Sequence, residues 1–333
     1  MILSAARSGR RRWRVLLASA AALLLALVPP PAASAAGAPE IWFSPKSGIG
    51  PYPGVADFAT LFREDNPAWT SVANKIRVYS ISYDHLARAP DDEVERIATD
   101  LRLHHVRWNI AIGPVAQLPG ETCGRGEGYS APAANQHFVE RLARLNVHPD
   151  QVSIDSPMWF GSLDPHKCQF TVAALVRHLA PTIAIWARAF PSATIGDIEP
   201  WLQLMEHPGW QADYRAMKDG IAAATGVRLA YVHTDLNDHN HPNWAAELAA
   251  VPPFVRSLGM RYGMIYDGRG NDPTDAAWLA TAKERIVTAE DRYRIIPDYA
   301  VFATWNSHPA RALPETDPTT LSSLIDFYLA RHR

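Results

Sequence analysis

Eight times along this chain a short apolar stretch is followed by a longer amphipathic one. The apolar stretches lie at 40–44, 75–80, 106–110, 151–155, 194–198, 229–234, 261–266 and 299–304. Helical periodicity marks 67–74, 91–104, 135–146, 171–190, 210–225, 244–258, 275–293 and 321–333. In 91–104, Val94, Ile97, Ala98 and Leu101 recur at helical spacing behind a first turn of acids. Gly226 and Gly259 follow two of these stretches, where a helix-ending glycine belongs. Pro252-Pro253 falls inside the sixth and should break or kink it. Strict strand–helix alternation implies a parallel sheet, and eight units close it into a barrel. The expected fold is α/β, a single (β/α)8 or TIM barrel. An open doubly wound sheet is the alternative, but no G-x-G-x-x-G follows the first strand, so its usual dinucleotide site is missing.

The N-terminus reads as an export signal rather than as part of the fold. Five arginines and no acid precede an apolar run, 15–28, which is too short for a comfortable membrane span. Pro29-Pro30-Pro31 and the small residues Ala33-Ser34-Ala35 then mark a cleavage site. Residues 1–35 are therefore expected to be a secretory signal peptide and 36–333 the barrel domain, secreted or periplasmic. Its 298 residues suit a barrel, which typically takes ~250 plus insertions. Without the signal, 27 basic residues face 34 acidic ones. That balance argues against a nucleic-acid partner and against stable association with an anionic membrane. Nothing in the composition calls for an oligomer, and a monomer is expected. Two cysteines, Cys123 and Cys168, in loop-like surroundings of an exported chain should form one disulfide.

In such a barrel, chemistry belongs on the loops after the strands. Polar groups, acids and indoles gather there. The second strand is followed by Tyr83, and the long third loop carries Glu127 and Tyr129. The fourth strand runs into Asp155 and Trp159, the fifth into Glu199-Pro200-Trp201. The sixth offers His233, Asp235 and Asn237, the seventh Tyr266, and the eighth Trp305 and Asn306. Cleaving a glycosidic bond requires two carboxyls across it, one to protonate the leaving oxygen and one to attack or to activate water. Glu199 is the first choice for general acid, since Pro200 fixes its backbone and Trp201 could raise its pKa. Asp155 is its expected partner, with Glu127 and Asp235 as substitutes. Trp159, Trp201 and Trp305 are candidate platforms for pyranose faces. Tyr83, Tyr129, His233, Asn237, Tyr266 and Asn306 are candidate hydrogen-bonding groups.

The cluster from His233 to His241 holds three imidazoles and two carboxylates, but its spacing matches neither H-E-x-x-H nor an EF-hand loop. No metal and no other cofactor is expected. No G-x-S-x-G elbow and no Walker loop appear, which argues against serine hydrolysis and nucleotide-driven phosphoryl transfer.

The segment Ile198-Glu199-Pro200 resembles the Asn-Glu-Pro strand end of the secreted (β/α)8 glycoside hydrolases, taken as a superfamily. Asp155-Ser156-Pro157 on the preceding strand is similar to it. Asp267 stands where that superfamily places a nucleophilic Glu on the seventh strand. The resemblance implies a glycosidase acting on a polysaccharide or oligosaccharide. The alternative is a non-catalytic carbohydrate-binding or exopolysaccharide accessory protein on the same fold.

Overall fold

A computed structural model describes residues 38–48, 53–63, 65–118, 120–121 and 123–332; the expected signal peptide lies outside them. Eight strands form a closed, all-parallel barrel: β1 Glu40–Ser44, β2 Val78–Ser82, β3 Arg107–Ile112, β4 Gln151–Asp155, β5 Thr194–Glu199, β6 Tyr231–Thr234, β7 Arg261–Tyr266 and β8 Tyr299–Ala303. Each pairs with its neighbours in sequence, and β1 closes against β8 over Glu40–Ser44 and Tyr299–Ala303. Helices run between them, as the alternation predicts. Helix Asp91–Leu103 shows why: its three leading acids complement the helix dipole, and Val94, Ile97, Ala98 and Leu101 are buried on one stripe. The sixth stretch divides into Trp244–Leu248 and Val251–Ser257, with the prolines in the first turn of the second helix, where no N–H is missed.

Side-chain alternation sorts each strand into an outward set under the helices and an inward set that fills the lumen. Trp42, Val78, Tyr231, Ile265, Tyr299, Val301 and Ala303 form the apolar part of that filling. A polar belt crosses it: Asn109 Nδ2 donates to Ser80 Oγ at 2.7 Å, and Ser153 Oγ donates to Asn109 Oδ1 at 3.0 Å. The Tyr231 hydroxyl lies 3.0 Å from Ser153 Oγ. Two glycines make room for the bulky residues of β6. A Cβ on Gly196 would sit 2.2 Å from the Tyr231 ring, and one on Gly263 would sit 2.3 Å from the His233 ring. The lumen is thus a packed core, and only the loops beyond the strand ends are free to bind anything.

Candidate active site

The inward line of β4 is Gln151, Ser153, Asp155, and that of β6 is Tyr231, His233, Asp235. Asp155 is level with Ile198, and Ile198 with His233, so Asp235 stands just above that layer at the C-terminal mouth. Both carboxyls are partly exposed. Their strand ends are two strand spacings apart, roughly 10 Å, and both side chains lean inward. Burial pushes Asp155 up to about 7, reinforced by the charges of Glu127 and Asp235 and opposed by the Ser156 hydroxyl. Burial pushes Asp235 up to about 6, with Arg285 opposing and Glu127 reinforcing. Ser156, directly after Asp155, has a φ of 45°, a left-handed backbone unusual for serine. Its N–H bonds the Ile198 carbonyl at 2.8 Å, which ties the end of β4 to β5.

Glu127 reaches this mouth on a braced flap. Val115–Ala116 pairs with Tyr129–Ser130, and the expected disulfide joins Cys123 to Cys168, linking the β3 and β4 loops. Tyr129 donates to the Phe160 carbonyl at 2.7 Å, and Lys167 Nζ lies over both rings while donating to the Arg125 carbonyl. Glu127 itself is exposed. Of the four carboxyls that the sequence nominates, the fold brings Asp155, Asp235 and Glu127 together.

Glu199 requires correction. It belongs to the outward set of β5 with Ile195 and Asp197, and it is 0% exposed. Its carboxyl accepts from the backbone N–H of Met158 at 2.6 Å and of Trp159 at 3.3 Å. Burial and the neighbouring Asp197 raise its pKa well above the usual range. This is a brace for the loop after β4, and no polymer can reach it. Trp201 is also corrected. It is fully buried against Tyr214, Trp210 and Phe254 in the layer between barrel and helices. Tyr266 is buried on the same outward side, where its hydroxyl donates to Glu290. His233 points inward but lies below the mouth, 4.5 Å from Trp42 between ring centroids, and burial pushes it down to about 3.

The remaining candidates sit at the rim. Trp305 is 45% exposed, Asn237 is exposed, and Trp159, Tyr83 and Asn306 are half-buried. The Tyr83 ring packs on Phe138, and the Asn306 carbonyl accepts from Lys46 at 3.4 Å. In the histidine-rich loop, His241 pairs with Glu247 at 2.7 Å and Glu206 at 3.3 Å. Among the described residues no cluster of three or more His, Cys, Asp or Glu side chains is arranged to hold a metal.

One network at the mouth escapes the sequence reading: the engagement of the acids Asp267 and Asp238 by Arg269 and Arg285. Arg285 is 2% exposed and contacts Asp267 and Asp238, the latter at 2.8 Å. Arg269 grips the other Asp238 oxygen at 2.6 Å. Burial works against the charge of Asp238, but the two guanidiniums outweigh it and its pKa is lowered. Burial pushes Asp267 up to about 8, with Arg285 opposing. The sequence did hold a signal, because Arg285 falls on the buried stripe of its helix with Trp278, Leu279, Ala282 and Ile286. An arginine on an apolar stripe calls for buried acids.

No family model matches the chain, and no curated protein matches it by sequence. Solved structures do. A structure of fungal β-1,4-galactanases aligns at 12% identity with a TM-score of 0.51, covering 88% of this chain and 100% of that one. The catalytic domain of a chitinase from Pyrococcus furiosus aligns at 14% and 0.47, covering 88% and 96%. A truncated 3-deoxy-D-arabino-heptulosonate 7-phosphate synthase from Thermotoga maritima aligns at 9% and 0.48, covering 89% and 86%. The chain is thus similar in fold to the galactanase structure. At these identities the likeness shows the barrel and not the reaction.

Proposed function

We propose that this barrel is a glycoside hydrolase acting on a polysaccharide or oligosaccharide, with Asp155 as general acid and Asp235 as the second carboxyl. The observation that carries this reading is the pair itself. Two partly exposed carboxyls lean into one mouth, and the one set at about 7 retains its proton where the other, at about 6, is largely ionised. That division of labour is what protonating a leaving oxygen and activating a nucleophile require. Glu127 adds negative charge from the flap, which favours keeping the proton on Asp155. Trp305 supplies an exposed indole for a sugar ring at the rim. The export signal and the disulfide are consistent with action outside the cytoplasm.

The test is reducing-sugar release from a panel of bacterial and plant polysaccharides, comparing wild type with Asp155→Asn, Asp235→Asn and Glu199→Gln. The expected result is release by wild type and Glu199→Gln, with loss in both aspartate variants. Release by Asp155→Asn at the wild-type rate would remove the assignment. Tight binding of one polymer without release would favour the accessory reading, to which the engagement of Asp267 by Arg285 lends some support.

A further inference from the structure

We propose that Arg285 is the positioning residue of this mouth: it engages the acid at the end of β7 and pins the β6 loop, so that Asp235 rather than Asp267 is presented to Asp155. The inference rests on the reading of Asp155 and Asp235 as the working pair.

The geometry is specific. Arg285 comes from helix Asp275–Ile286, which packs outside β7, and its guanidinium reaches the strand ends. One nitrogen donates to both the backbone carbonyl of Asp267, at 2.9 Å, and its carboxyl. The other donates to Asp238, three residues beyond Asp235 on the β6 loop. One buried cation therefore ties the end of β7 to the segment that carries Asp235. A lysine could supply the charge but not the two-armed bridge. One carboxyl oxygen of Asp267 and its backbone carbonyl are both engaged by the same guanidinium, which holds that carboxyl against the end of β7.

The electrostatic consequence follows from placement. Acting on Asp235 are Asp155 from β4, Glu127 from the flap, Asp267 at the end of β7 and Arg285 from the following helix, while Asp238 and Arg269 pair on the adjoining β6 and β7 loops. Asp238 and Asp267 are met by two guanidiniums, and Arg285 is the cation that opposes the rise of Asp235. Asp155 sits on the far side, beside Glu127. Arg285 thus separates two otherwise similar carboxyls into one that ionises first and one that keeps its proton.

The experiment is a carboxyl titration by NMR on the full domain with 13C-labelled aspartate, comparing wild type, Arg285→Lys and Arg285→Met. Assignments come from Asp155→Asn and Asp235→Asn. The expected result is that Asp235 titrates about one pH unit higher in Arg285→Met, a tenfold change in its ionisation, and that Asp155 stays in place. Arg285→Lys should restore part of the shift but not the wild-type kcat, because the bridge is lost. An Asp235 titration unmoved by Arg285→Met would overturn the proposal. If that variant does not fold, Arg285→Lys decides alone, since it keeps the charge and loses the bridge: Asp235 titrating as in wild type there would overturn the proposal equally. Titrations that move as expected in a protein that cleaves no polymer would sustain the role of Arg285 and remove the hydrolase reading alone.

Discussion

Asp155 carries the largest consequences of any single residue here. Burial, reinforced by neighbouring charges, gives it a pKa far above that of a free aspartate, so the native state holds a proton that the unfolded chain releases. The sign follows. A folded-state pKa near 7 against an ordinary value near 3.8 means that stability is greatest below the unfolded value and is lost as pH rises toward the folded one. Asp155→Asn should therefore raise the melting temperature at pH 8 and change it little at pH 4, while lowering kcat by about 10²-fold or more. A melting temperature that falls at pH 8 would contradict that placement. Glu199 gives the opposite pattern. Its carboxyl satisfies two backbone N–H groups, and Gln keeps an acceptor for only one of them. Glu199→Gln should cost about 1–3 kcal/mol in urea unfolding and leave kcat within roughly tenfold.

At the scale of elements, the flap from the end of β3 to Tyr129 decides how many acids the mouth contains. Glu127 has no strand to hold it. Its position depends on the short ladder, on Tyr129 and on the bridge from Cys123 to Cys168, which closes a sequence separation of 45. Replacing both cysteines with serine should cost roughly 2–4 kcal/mol in equilibrium unfolding. It should also move the alkaline limb of the pH–rate profile to lower pH, because Glu127 would no longer be held where it raises Asp155. An unchanged limb in the double variant would mean that the ladder and Tyr129 suffice. The strands flanking β6 carry Gly196 and Gly263 where Tyr231 and His233 need space. Gly196→Ala should destabilise the barrel by about 1–3 kcal/mol, read from the urea midpoint, because the added methyl meets a fully buried ring.

At the scale of the whole molecule, the protein concentrates buried and half-buried acids toward one end of a closed barrel. Asp155, Asp197, Glu199, Asp235 and Asp267 all have raised pKa values, each chiefly through burial. Each binds a proton more tightly folded than unfolded, so their contributions share one sign. The domain should melt at a higher temperature near pH 5 than near pH 8, with the loss running from just above the unfolded carboxyl value of 3.8 up to about pH 8. Scanning calorimetry across that range tests it; a melting temperature that rises from pH 5 to 8 would show that the paired surface carboxylates dominate. The pH–rate profile should be a narrow bell between about 6 and 7, since one carboxyl must keep its proton while its partner loses it.

Sequence alone determined the architecture of this protein, and the reason is periodicity. Strand and helix leave different spacings of apolar residues, and eight repeats of that contrast leave little besides a barrel. Three strands have the bounds read from sequence, and the others differ by up to three residues at an end. The pairing of Cys123 with Cys168 was equally legible, since two cysteines in one chain leave a single intramolecular choice. The facing of side chains was not. Glu199 ends a strand with a proline and an indole beside it, as a catalytic acid would, yet a shift of one residue in register separates the lumen from the outer layer. Only the closed sheet decides that Ile198 points in and Glu199 points out. The same holds for Tyr266 and Trp201, whose polar tips and large rings suit a sugar site as well as a core. Arg285 lies 18 residues from Asp267 and 47 from Asp238, and the helix-on-strand packing that joins them is a tertiary fact. Local pattern sets which elements form; which carboxyls share a mouth depends on the closure of the barrel, because proximity between strand ends arises only when the sheet curls onto itself.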